Sequence, residues 1–256
     1  MEKGSIVGSI DTAQVVLYVF WVFFAGLIFY LRREDKREGY PLVSDRAGGV
    51  SVIGFPTPPS PKVFRLAHGH GDVMAPASRA EPALNNVRPV APWPGAPLEP
   101  TGDPMRDAVG PGSYALRSDT PDLTIDGDLK IVPMRVAPTF SIAEGDPDPR
   151  GMTVIAADRT VAGTISDVWV DKSEVLIRYY EVETSGGKRV LLPANFSRVD
   201  RNRGTVTVKS ILASQFADVP GIKNPDQITL LEEDKICAYY GGGTLYATPA
   251  RAEPWL

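Results

Sequence analysis

From Thr12 to Leu31 the chain carries no charged side chain, and from Val15 onward that run is almost wholly apolar. At about 1.5 Å per residue, roughly 20 helical residues cross the ~30 Å hydrocarbon layer of a bilayer. Lipid offers unpaired backbone groups no partner, so a lone segment crosses as a helix. The run therefore predicts one membrane-spanning helix over residues 12–32. It differs from a cleaved signal peptide in having no basic stretch before it and no small-residue cleavage site after it. Glu2, Lys3 and Asp11 precede the span, whereas Arg32, Arg33, Lys36 and Arg37 follow it. The flank richer in Lys and Arg stays in the cytoplasm, which predicts a short N-terminus outside and a long cytoplasmic C-terminal part.

Residues 33–138 read as an extended Pro/Gly-rich segment. Phe55-Pro56-Thr57-Pro58-Pro59-Ser60-Pro61 and Val90-Ala91-Pro92-Trp93-Pro94-Gly95-Ala96-Pro97 favour polyproline conformation, which leaves backbone groups for water or for a neighbouring surface. Phe55, Val63, Phe64, Leu66, Trp93 and Met105 make this stretch too apolar for a solvated linker, and predict a strap lying on another protein. After Gly151 short β-branched runs alternate with turn residues: Thr160–Val170, Val175–Val182, Arg189–Leu192 and Thr205–Val208 read as strands. Several short strands in succession predict a small closed or half-closed antiparallel barrel. Thr229-Leu230-Leu231-Glu232 is a capping-box sequence and opens a C-terminal helix, which Gly241-Gly242-Gly243 is expected to end. The expected fold is thus one N-terminal transmembrane helix, Pro-rich straps, and a mainly-β domain over residues 139–256 with a C-terminal helix.

The residues offer little chemistry. The formal net charge is −4 and both signs are mixed along the chain, which predicts no basic surface that gathers phosphates and no nucleic-acid partner. Cys237 is the single cysteine, so neither an internal disulfide nor a thiolate zinc site is available. The two histidines, His68 and His70, lie in a glycine turn with no set of acids or thiols nearby, a poor metal site. No nucleophile, base and oxyanion set is visible, which argues against a hydrolase. Carboxylates are scattered: Asp126, Asp128, Asp167, Asp171, Glu174, Glu232, Glu233 and Asp234. Glu174 stands out because it precedes the apolar Val175-Leu176-Ile177 near a second acid, where burial would favour proton exchange near neutral pH.

Five ordered segments resemble one family. They are Arg37-Glu38-Gly39-Tyr40-Pro41-Leu42; Pro100-Thr101-Gly102-Asp103-Pro104-Met105 with Gly110-Pro111-Gly112; Lys130-Ile131-Val132-Pro133-Met134; Asp167-Val168-Trp169-Val170-Asp171; and Leu230-Leu231-Glu232-Glu233-Asp234-Lys235-Ile236-Cys237. In this order, around one N-terminal span, they resemble the H subunit of the purple-bacterial photosynthetic reaction centre, whose strand-rich part is a PRC-barrel domain.

That resemblance implies a single-pass subunit of the bacterial inner (intracytoplasmic, chromatophore) membrane, with residues 1–11 periplasmic. It implies a cap over the L and M subunits, which hold bacteriochlorophyll, bacteriopheophytin, quinones and non-haem iron; this chain would bind none of them. Membrane lipid and, through the complex, a light-harvesting antenna and a cytochrome subunit are the further partners implied. The role implied is to shield the quinone sites and conduct protons to the secondary quinone. Glu174 and Asp171 match acids on the proton route, Arg178 and Lys130 match cations near it, and His68 matches a histidine in a similar turn. At Asp126 and Asp128 the chain departs from relatives that carry surface histidines; carboxyls, with reference pKa about 4, hold fewer protons at neutral pH. PRC barrels also occur in RNA-processing factors, so a membrane-tethered PRC-barrel binding module is the alternative, against which the slight acidity speaks.

Overall fold

The computed structural model describes residues 5–7, 10–43, 50–77 and 85–252. Two compact units form, residues 1–83 with 91–97, and residues 84–90 with 98–256.

In the first unit helix α1 spans Thr12–Glu34. Asp11 caps it, its side chain accepting from the Gln14 N–H at 2.8 Å, and Arg32 and Arg33 occupy the last turn, where positive charge suits the helix dipole. None of its residues is buried, and with its one-turn extension to Arg37 it is long and apolar enough to cross a membrane. The basic residues that follow also fasten the chain. Lys36 is buried, its Nζ donating to the carbonyls of Ile53 (2.8 Å) and Pro56 (2.6 Å). Arg37 donates to the carbonyls of Ser60 and Ala75, each at 2.9 Å, and to Glu34. A hairpin pairs Lys62–Arg65 with Asp72–Ala75 around the His68 turn.

The second unit is built on a seven-stranded sheet: β1 (Ile131–Pro133), β2 (Thr153–Ile155), β3 (Val161–Asp171), β4 (Leu176–Thr184), β5 (Arg189–Pro193), β6 (Ser197–Asp200) and β7 (Thr205–Val208). The order is β5-β4-β3-β2-β7-β6, with β1 also on β3. β3 is the spine: β4 runs along one edge, while β2 and β1 share the other, meeting its two ends. The turns contain the expected residues, with Gly187 and Gly204 at φ of +80° and +61° where an L side chain would be strained. A single 3-10 turn, Ala194–Phe196, joins β5 to β6, the two ends of the strand order, and the ring is not closed by hydrogen bonds. All ladders of the sheet are antiparallel except β2 with β7, which run parallel. The three short strands β1, β2 and β6 were not anticipated; β1 sits inside the stretch expected to be extended.

Helix α2 spans Leu230–Tyr246, opened by the expected capping box: Thr229 Oγ1 accepts from Glu232 N–H, and Glu232 Oε2 accepts from Thr229 N–H. The three glycines do not end it. They lie inside α2 because other backbone passes too close for side chains: a Cβ on Gly242 would sit 3.0 Å from Gly112 Cα, and one on Gly243 2.7 Å from the Ser210 carbonyl oxygen. The core between sheet and helix contains Trp169, Tyr179, Phe216, Ile236 and Tyr240. Met105 belongs to it too, packed beside Gly242, and is not an exposed strap residue.

Candidate functional site

β3 ends at Asp171, and the chain turns sharply there. Asp171 Oδ1 accepts from the N–H groups of Ser173 and Glu174, each at 2.9 Å, and Val175 takes a left-handed φ of +54°. An aspartate that bonds the backbone two and three residues ahead holds such a turn in place. The Asp171 side chain is only 1% exposed, and its second oxygen, Oδ2, is buried without a hydrogen-bond partner. The turn directs Glu174 outward, so its side chain is 52% exposed. Glu174 therefore precedes β4 and is not the buried acid expected from sequence; Asp171 is.

Lys130 faces both acids. Residues 122–130 form a small hairpin, with Lys130 N–H donating to Asp122 O (3.0 Å) and Thr124 N–H to Asp128 O (2.8 Å). Lys130 O in turn accepts from Lys172 N–H at 2.9 Å, and β1 continues the pairing of Asp171 with Ile131. Lys130 Nζ lies 3.2 Å from Asp122 Oδ2, 3.8 Å from Asp171 Oδ2 and 3.8 Å from Glu174 Oε1. The Asp122 hydrogen bond first, then the charges of Asp171 and Glu174, push the ammonium pKa up against the opposing effect of burial. The amine thus stays charged, and three carboxylates of graded exposure converge on it.

The remaining expected residues are placed less uniformly. Asp126 and Asp128 are exposed on the 122–130 hairpin, and Asp128 Oδ2 is 3.9 Å from Lys172 Nζ, next in chain to Asp171. Asp126 has no ion pair among the described residues. His68 belongs to the first unit, on an exposed turn at φ +55°. Arg178 has another partner than Lys130's acids: its Nη2 is 3.5 Å from Glu233 Oε2, which also accepts from the Tyr179 hydroxyl at 2.8 Å. Burial pushes the Glu233 carboxyl above its ordinary range, opposed by the Tyr179 hydrogen bond and the Arg178 charge.

Sequence reading singled out neither Asp122 nor the buried role of Glu233. For Glu233 a signal exists, because it shares the buried stripe of α2 with Ile236 and Tyr240, where a carboxylate is out of place. A third acid group, also not anticipated, is fully paired. Arg135 Nη1 donates to Glu181 Oε2 (2.8 Å) and Asp167 Oδ2 (3.0 Å), and Trp169 Nε1 donates to the same Glu181 oxygen at 3.1 Å. Burial alone would raise the Glu181 carboxyl, but the hydrogen bonds from Arg135, Trp169 and Ser166 hold it below the usual carboxylate range. Among the described residues no group of three or more His, Cys, Asp or Glu is disposed to hold a metal ion.

The family described as photosynthetic reaction centre, H-chain N-terminal region, matches residues 4–136, just over half of the chain. The chain belongs to the reaction-centre H-chain family. The PRC-barrel domain matches residues 142–215 of this H chain, covering β2 to β7. The acid cluster joins the two regions: Asp122 and Lys130 come from the first, Asp171 and Glu174 from the second. As an H chain the protein is a subunit of a photosynthetic reaction centre, with one apolar helix fit to anchor it in a membrane.

Proposed function

We propose that this H chain caps the cytoplasmic face of the L and M subunits, shields the quinone sites held there, and passes protons toward the secondary quinone. Residues 1–11 lie in the periplasm, 12–32 cross the inner membrane, 33–138 supply the straps to its partners apart from Met105 and β1, which pack into the sheet unit, and 139–256 supply the rest of the cytoplasmic PRC-barrel domain. Bacteriochlorophyll, bacteriopheophytin, quinones and non-haem iron belong to L and M; quinone supplies the electron acceptor whose reduction consumes the protons.

The observation that carries this reading is the orphaned Oδ2 of Asp171. A buried acceptor without a partner is costly unless a proton or a water molecule meets it. It faces Lys130 Nζ, which also approaches half-exposed Glu174. A proton taken from solvent by Glu174 has a titratable acceptor one short step inward, and Lys130 stabilises the charge left on either acid. Asp128, linked through Lys172, and Asp126 collect protons at the surface; Arg178 sets the field around buried Glu233, and His68 serves as a further surface acceptor. The strap role is supported by large apolar side chains left in the open, Phe55 at 84% and Trp93 at 62% exposure, which a partner surface would cover.

The test uses the intact complex purified through a tag on this chain. Glu174→Gln and Asp171→Asn are expected to slow the proton-coupled second electron transfer to the secondary quinone after paired flashes, and to leave primary charge separation unchanged. An unaltered second step in both variants removes them from the route.

A further inference from the structure

Even mixing of charge along the chain conceals a local concentration of it in the folded sheet unit. On the outer face of the β6–β7 hairpin lies an open groove of about 1010 Å³, bordered by Arg198, Arg201, Arg203, Lys209 and Arg251, with Asp200 its single acid. The expectation that no basic surface forms is corrected here, and strand geometry explains why. Val206 and Val208 point into the core, so their alternates on β7 point out, and the register sets Arg198 directly opposite Thr207. Lys209, two residues beyond Thr207, continues that face. The turn between the strands, closed by Gly204, adds Arg201 and Arg203.

These cations are mostly uncompensated. Arg251 is fixed by neutral carbonyls, Nη1 donating to Ser210 O and Gly243 O at 2.7 Å each and Nη2 to Lys209 O at 2.9 Å. Arg201 donates to the Gly145 carbonyl at 2.8 Å. Arg203 alone has an acid, Asp200 at 3.8 Å, while Arg198 and Lys209 have no ion pair among the described residues. Ser210, which also lines the groove, is 4% exposed and its Oγ has no hydrogen-bond partner. Like charges gathered on one concave face repel each other and raise the local concentration of anions. Arginine forks match phosphate oxygens, and a phosphate group carries about −1.5 to −2 where a carboxylate carries one charge. Phe196 is the one aromatic side chain on the groove, which does not make a platform for stacked bases.

We infer that this groove binds a phosphate-bearing anion, at a site separate from the acid cluster around Lys130. The phosphate comes either from a soluble oligophosphate or from an anionic lipid headgroup. The test titrates inorganic tripolyphosphate, by calorimetry, into the detergent-solubilised complex carrying this chain, and repeats the titration with short-chain phosphatidylglycerol below its micellar concentration. Saturable tripolyphosphate binding is expected, weakened by salt and weakened about tenfold or more in the Arg198→Gln/Lys209→Gln pair. Arg88→Gln, outside the groove, is expected to bind as the parent does. Competition by the short-chain lipid identifies a headgroup site, and its failure to compete a soluble phosphate. Should the double variant not assemble, Arg198→Gln alone carries the comparison, with Arg198→Lys expected to restore part of the affinity. Absence of saturable tripolyphosphate binding, or equal affinity in parent and groove variants, overturns the inference.

Discussion

Replacing Gly243 by alanine sets helix propensity against packing within one residue. In an exposed helix interior the change stabilises by about 1 kcal/mol, because alanine loses less backbone entropy than glycine. In α2 the added methyl would lie 2.7 Å from Ser210 O and 3.1 Å from the Ser210 carbonyl carbon, and also against Ile211 Cγ2. Backbone atoms cannot rotate aside, so α2 itself must move. That motion disturbs the Gly242–Gly112 approach, and the Gly243 carbonyl that accepts from Arg251 moves with it. Overpacking of this kind costs about 1–3 kcal/mol, and contact with backbone puts Gly243→Ala at the upper end. After the propensity gain the net loss is about 2 kcal/mol, or about 4–8 °C in melting temperature for a domain of this size. Gly241→Ala, whose Cβ would meet one atom, Pro111 O at 3.1 Å, is the internal comparison and is expected to change stability by less than about 1 kcal/mol. The assay is thermal unfolding of the full chain in detergent followed by near-ultraviolet circular dichroism, which reports the packed aromatic core. A Gly243→Ala protein melting at or above the parent would refute the close-approach explanation for the glycine run.

Two further changes probe the buried acids. Arg135→Met leaves Asp167 buried without its cation and Glu181 with only Arg189, 3.6 Å away, and is expected to cost about 3 kcal/mol, the lower end for a broken buried pair because Arg135 itself is a third exposed and Arg189 remains; urea midpoints measure it. Since the folded state holds the Glu181 carboxyl low, its contribution is present above the unfolded pKa and disappears as pH falls through the folded one, so the deficit should shrink in acid. Glu233 has the opposite sign. Its folded pKa is raised, so the proton-bound form stabilises fully below the unfolded carboxyl pKa and that stability is lost as pH rises through the folded value. Glu233→Gln, which does not titrate, should therefore gain on the parent as pH rises above the unfolded carboxyl value of about 4, and parallel pH dependence of the two melting temperatures would contradict the burial effect.

What is legible in the sequence follows from which interactions are local. α1 is written in one continuous apolar run, and the hairpins β3–β4 and β4–β5 in turn residues flanked by β-branched strands, so their existence and approximate limits can be read directly; of the β6–β7 hairpin only the turn and β7 are legible. The capping box of α2 is equally local. The end of α2 is not, because a glycine run has two physical meanings, chain termination or close approach, and only the position of Ser210 and Gly112 distinguishes them. β1 stays hidden because Ile131–Pro133 is too short and too close to proline to announce itself; its pairing with Trp169–Asp171 is a long-range choice. The candidate site shows the same division. Asp171 and Glu174 stand out together, but which of the two is buried depends on a turn that Asp171 itself closes with its side chain. Asp122 escapes notice because a two-stranded return over residues 122–130 has to form before it can meet Lys130.

The pairing of β2 with β7 has a bearing on biosynthesis. Thr153–Ile155 has no parallel neighbour until Thr205–Thr207 has been made, and the start of α2 is bonded back to Ser118 and Thr120 through the N–H groups of Leu231 and Leu230. A ribosome adds roughly 5–20 residues per second, and contacts of such sequence separation form only when both ends have emerged. The apolar N-terminal helix is therefore available to the insertion machinery well before the sheet unit can close. In an H chain anchored by that helix, anchoring can come before the sheet unit folds.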